Sequence, residues 1–209
     1  MNNYYKVIVA LGIVMIAGVG SWLYFGSYKN IQARVLEERK ISIAAYIQNQ
    51  ASQLAIMDDF NIADSVRQDQ VFKSFFENIQ SSEIFRIKVF SGGYKIIWSN
   101  LKEIIGQHAS TNQEVKEALE DGKITLKAKS MKPEQVTERR FQNFTETYVP
   151  IANDKGEYIG VVEIYQTYAA LGVKINKEFI NTAMKDIAGA IVAFVVLALI
   201  IRRLMPRQV

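Results

Sequence analysis

Two uncharged apolar runs near the ends of this chain limit what it can become. Residues 7–25 form one, of nineteen residues, and residues 187–201 form another, of fifteen. A bilayer core about 30 Å thick needs roughly 20 helical residues, so the first run spans without help. The second covers roughly 22 Å at about 1.5 Å per residue. It reaches the required length if Lys185 and the Arg202-Arg203 pair extend their charged tips to the two interfaces, giving a span of 187–205. Its residues are apolar all round, which suits lipid better than a half-exposed helix; a buried core helix is the alternative. For the first run the alternative is a cleaved signal peptide. Its length exceeds the usual apolar stretch of about 7–15 residues, and no A-x-A-like site follows. Trp22, Tyr24 and Tyr28 fit an aromatic interface belt instead.

Charge then orients the chain. Of its 25 Lys/Arg, only Lys6, Arg202, Arg203 and Arg207 lie outside 26–186, so that segment holds 21 basic residues against all 21 acidic ones. Basic residues flanking membrane helices stay in the cytoplasm. The termini, 1–6 and 206–209, are therefore expected inside, and the neutral middle outside. That neutrality also removes the nucleic-acid reading that a pI near 9.1 invites. Cysteine is absent, so no disulfide, thiolate metal site or thiol nucleophile exists. A hydrophobic core must hold the exported part, and its length suffices for one domain.

Within it, 29–57 lacks Gly and Pro, and Leu36, Ile43, Ile47, Leu54 and Met57 form a stripe on one helical face. The first membrane helix is expected to continue outward as a long stalk, its stripe packed on a sheet or on a second copy of the chain. Val66, Val71, Phe72, Phe75, Phe76 and Ile79 mark a second helix, capped by Asp64 or Ser65. The period then changes to two. Phe85, Ile87 and Val89 alternate with Arg86, Lys88 and Phe90; Gly92-Gly93 offers a turn with positive φ, and 94–99 returns as a second strand. A short helix capped by Ser110 or Thr111 ends at Gly122. Strands follow over 123–129, 141–151 and 157–167, the last two joined by Asn153-Asp154-Lys155-Gly156. From Tyr168 a helical pattern (168–186) runs without Pro into the second membrane segment. Five mostly antiparallel strands with helices on one face make an α+β domain.

That order, with two stretches of sequence, resembles the single Cache domains of bacterial transmembrane receptors such as sensor histidine kinases and chemoreceptors. The first stretch is Arg86-Ile87-Lys88-Val89-Phe90, Gly92-Gly93, Ile96-Ile97-Trp98-Ser99 and Ile105-Gly106. The second is Glu146-Thr147-Tyr148-Val149-Pro150-Ile151 with Gly156 to Tyr165. The likeness covers roughly 29–167. It implies a PAS-like (Cache) sheet beneath a long N-terminal helix, placed between two membrane helices of a two-pass protein of the bacterial inner membrane. Family members with enzymatic output carry it after the second membrane helix. Here a kinase or other output region would lie beyond residue 209, and this chain itself is expected not to be an enzyme.

His108 reads as a loop residue, no Ser/His/Asp set can be assembled, and no phosphate-cradling loop occurs. No cofactor or metal is expected. The resemblance places a pocket on the sheet face away from the long helix, and Arg86, Trp98, Arg139 and Tyr148 are the expected lining, for a small solute such as a carboxylate. The competing reading makes Arg86 and Lys88 the solvated face of a half-buried strand. The expected function is a sensory input module relaying a signal through the second membrane helix, with the bilayer, a small-molecule ligand and a second copy of the chain as partners. The alternative is a membrane-anchored docking module without signalling output.

Overall fold

A computed structural model describes residues 3–54, 56–61, 64–128 and 144–204. The chain divides into two compact units, 1–35 with 172–209, and 36–171.

The first unit is built from α1 (Asn3–Ser21), a π-helical stretch (Trp22–Ser27), the opening turns of α2 (Tyr28–Gln53) and most of α5 (Ala169–Leu204). Two helices here are long and apolar enough to cross a membrane. Their apolar side chains, Ile13, Val14, Ile16, Ile191, Val192 and Leu199 among them, are exposed. A band of that kind is a liability in water and the natural surface of a helix in lipid. The two helical runs pair antiparallel, since partners on one rise in number as those on the other fall. A Cβ on Gly12 would come 3.5 Å from the Phe194 ring, Tyr28 meets Phe179 edge-to-face at 5.4 Å, and Arg34 Nη2 donates to Glu178 Oε2 at 2.5 Å. Between α1 and α2 the Tyr28 N–H bonds to the Leu23 carbonyl, the i→i+5 pattern of a π-helix.

The second unit is a five-stranded sheet, β1 (Ile84–Ser91), β2 (Ile96–Ser99), β3 (Thr125–Ala128), β4 (Phe144–Ala152) and β5 (Tyr158–Thr167), in the order β2-β1-β5-β4-β3. Every neighbouring pair is antiparallel. α2 and α3 (Ser65–Ile79) share one core with one face of the sheet. Ile43, Ala44, Ile47 and Ala51 join Phe72, Phe75, Phe76 and Ile79 against Ile87, Val89, Trp98, Val149, Val162 and Ile164. This is the α+β class expected from the sequence, an antiparallel five-stranded sheet with a long N-terminal helix on it.

Local chemistry explains the element boundaries. The Asp64 carboxylate accepts from the Val66 and Arg67 amides and opens α3. The short helix α4 (Gln113–Asp121) starts at Asn112, not at Ser110 or Thr111: the Asn112 side chain accepts from Glu114 N and Val115 N. Gly122 closes it at φ 65°, as expected. In the β1–β2 turn the positive φ falls on Tyr94, at 60°, rather than on the glycines. The Tyr94 ring packs on a small cluster of Phe90, Ile96, Val115, Ala118, Tyr148 and Val161, and its hydroxyl donates to Glu120 at 3.0 Å. Gly160 is demanded by close approach, since a Cβ there would lie 2.2 Å from the Phe60 ring. Pro150 lies beyond the stretch of β4 that β3 pairs, which ends at Tyr148, so on that side its missing N–H breaks no ladder bond.

Candidate ligand-binding site

Cross-strand partners share a face of a sheet, so register decides which side chains meet. Ile87 and Val89 pair with Ile164 and Val162 on the face covered by α2 and α3. The intervening positions bring Arg86 opposite Tyr165 and Lys88 opposite Glu163. On the far side of β5, Glu146 pairs with Tyr165, and Tyr148 with Glu163. Six polar or aromatic side chains from three adjacent strands therefore occupy the second face.

Five of the six are buried there, and Lys88 is half-buried. Glu146, Tyr148 and Tyr165 are fully buried, Glu163 is 1% exposed and Arg86 5%, so the reading of Arg86 as part of a solvated face does not hold. Charges and hydrogen bonds interlock. Lys88 Nζ lies 3.4 Å from Glu163 Oε2, donates to the Tyr165 hydroxyl, and stands 4.7 Å from the centre of that ring. Tyr165 donates to Glu163 Oε1 at 2.7 Å, and Tyr148 to Glu146 Oε2 at 3.2 Å. Burial, and then the Glu163 charge, push both phenols well above the ordinary tyrosine value, so both are neutral donors. Two cations, two carboxylates and two phenols form a formally neutral polar floor. At one end an aromatic group of Phe85, Phe144 and Tyr165 borders it, with ring centres 5.7–6.3 Å apart. At the other, α4 seats Val115 and Ala118 beside Tyr148, and Lys127 on β3 donates to Glu114.

Of the four residues expected to line the pocket, Arg86 and Tyr148 are on this face. Trp98 is not. It pairs with Val89, and partners share a face, so its ring packs between α3 and the sheet, 6.5 Å and 6.0 Å from the rings of Phe72 and Phe76. Its Nε1 donates to Asp69 Oδ1 at 2.7 Å. Arg139 lies outside the described residues. The face also holds Glu146, Glu163 and Tyr165, which sequence reasoning left out of the site. The signal was there: in Val161-Val162-Glu163-Ile164-Tyr165, Glu163 and Tyr165 share the parity opposite to the core residues Val162 and Ile164. His108 is exposed and forms only an isolated bridge with Lys95. Among the described residues no group of three or more His, Cys, Asp or Glu is placed to hold a metal ion.

No protein-family model matches the chain, and no curated protein matches it. Solved structures do. One is the extracellular domain of a histidine kinase, 9% identical, covering 71% of this chain and 59% of that one at a TM-score of 0.47. Another is the periplasmic domain of RsbU from Chlamydia trachomatis, 16% identical, covering 80% and 58%, with a TM-score of 0.47. A third is the ligand-binding domain of the Pseudomonas aeruginosa amino-acid chemoreceptor PctC in complex with GABA, 17% identical, covering 77% and 66%, with a TM-score of 0.39. The chain spans under two thirds of the length of each of these three solved chains. Two of these three are thus the extracellular domain of a histidine kinase and the ligand-binding domain of a chemoreceptor.

Proposed function

We propose that the chain is the input module of a transmembrane receptor, with 26–186 outside the cytoplasm and both termini inside. A small solute binds over the charged face of the sheet, and α5 passes the change inward. One observation carries the ligand part of this reading: Arg86, Glu146 and Glu163 are buried together on one face, with the half-buried Lys88 beside Glu163. Burying charge is costly unless it is paired, and apolar residues of similar volume would hold a sheet face at least as well. A retained set of opposed charges and neutral phenols suits recognition instead, with the guanidinium offering a two-pronged donor to a carboxylate. The relay part is supported by continuity. α5 follows β5 after the single residue Tyr168 and runs unbroken from Ala169 to Leu204. A solute shifts such a system only by its differential affinity for two states, typically about 1–3 kcal/mol.

Calorimetric titration of the full chain in nanodiscs with small mono- and dicarboxylates tests the binding step. Saturable heat with at least one acid, lost in Arg86→Ala and partly kept in Arg86→Lys, is the expected result. Binding by Arg86→Ala equal to that of the parent would remove Arg86 from the site.

A further inference from the structure

The helix-covered face of the sheet is not apolar throughout. At its end nearest α5, the hydroxyls of Thr145 and Thr147 and both polar atoms of the Gln166 side chain find no protein hydrogen-bond partner, although these residues are 0%, 0% and 1% exposed. They are neighbours. Thr145 is the cross-strand partner of Gln166, and Thr147 is two residues further along the same face of β4. The face is fixed by Ile164 opposite Thr147 and Ile84 opposite Gln166, both part of the core shared with α2 and α3. A fifth buried atom without a protein partner, Arg39 Nε, comes from α2. The Arg39 Nη2 donates to Glu83 at 2.6 Å, and the Glu83 carbonyl accepts from the amide of Thr167, the residue after Gln166. Four residues thus leave donors and acceptors unmet at one end of the α2–sheet contact.

Buried donors and acceptors left unmade are expensive, and native proteins satisfy nearly all of them, with protein groups or with ordered water. Donors and acceptors are mixed here. The amide supplies two N–H groups and a carbonyl, each hydroxyl supplies both roles, and Arg39 Nε supplies a donor. Thr145, Thr147 and Gln166 carry no charge, and the Arg39 charge is already met by Glu83, so nothing in the set calls for an ion. The chemistry that fits is a small neutral molecule that both gives and accepts hydrogen bonds and needs two to four partners, which describes a buried water.

We propose that Thr145, Thr147 and Gln166 form an internal hydration site between α2 and the sheet, holding at least one ordered water three residues before the start of α5. Elsewhere that helix–sheet contact is made by Ile43, Ala44, Ile47 and Ala51. The inference does not depend on the ligand reading above.

A high-resolution crystal structure of the full chain tests it. The expected density is a water within about 3.2 Å of the Gln166 amide and of at least one of the two threonine hydroxyls. Finding the Gln166 amide and both hydroxyls bonded to protein groups, with no water among them, would overturn the assignment. In a Thr145→Val, Thr147→Val, Gln166→Leu variant the water should be lost while the thermal midpoint, read in the same detergent, stays level or rises. A marked fall in midpoint with the fold intact would mean that protein groups were the true partners. If the triple variant does not fold, the parent crystal alone decides.

Discussion

The two faces of the sheet bury similar numbers of side chains for different ends. Against α2 and α3 lie Ile87, Val89, Trp98, Val149, Val162 and Ile164, whose transfer from water drives folding at about 25 cal/mol per Å². On the opposite face the same strands bury Arg86, Glu146 and Glu163 with two tyrosines and half-bury Lys88. One face carries stability. The other stores interactions that an apolar set would replace without loss, and the proposal above gives those interactions a ligand to recognise.

Substitutions on the two faces separate these roles, and the largest effect belongs to the apolar side. Phe72 is fully buried, with its ring edge-to-face to Phe60 at 5.3 Å and near Trp98. Phe72→Ala should cost about 3–5 kcal/mol, read by denaturant unfolding, with ligand heat per folded molecule unchanged.

Next comes the charged face. Glu163→Gln leaves Lys88, whose side chain is 14% exposed, beside no negative partner on β5, and should cost about 3 kcal/mol. The double change Lys88→Met, Glu163→Leu should recover most of that stability and still abolish solute binding. If the double variant binds as the parent does, the comparison between the faces fails.

Local effects are smaller. Asp64→Ala removes the carboxylate that caps α3 and should cost about 1 kcal/mol, by the same denaturant assay. The smallest concerns pH. The hydrogen bond from Lys102, aided by that from Trp98, holds the Asp69 carboxyl below its usual value of 3.8. A depressed folded-state pKa stabilises the protein above the unfolded value and loses that contribution as pH falls through the folded one. The Asp69 side chain is 49% exposed, so screening limits the effect to a few tenths of a kcal/mol. The parent should exceed Asp69→Asn in stability at pH 6, and the gap should close as pH falls through the depressed folded-state value.

Much of this architecture was legible in the sequence because its signals are local. Period-two alternation marked β1, Asp64 and Gly122 marked helix ends, and the Asn153 turn sits where the Asx chemistry placed it, its side chain accepting from Lys155 and Glu157 amides. What was misread depends on register. A bulge between Ile84 and Arg86 puts Ile84 into the helix-side core and turns Phe85 toward Phe144 and Tyr165, whereas strict alternation would put Phe85 on the same face as Ile87 and Val89. Trp98 went to the wrong face for a related reason. Its side is set by pairing with Val89 across the hairpin, and a single strand read alone does not contain that information. The Asn112 cap shows a local error, since three adjacent residues could each have capped α4 and only the backbone decides among them.

All of these comparisons presuppose that the sheet lies outside the cytoplasm, and the chain has no native cysteine to obscure a direct check. Single cysteines at Gly93, Asp154 and Arg203, all exposed, can be challenged in intact cells with a membrane-impermeant maleimide. The account predicts labelling of Gly93→Cys and Asp154→Cys, with Arg203→Cys labelled only after lysis. Protection of the first two with labelling of the third would contradict it.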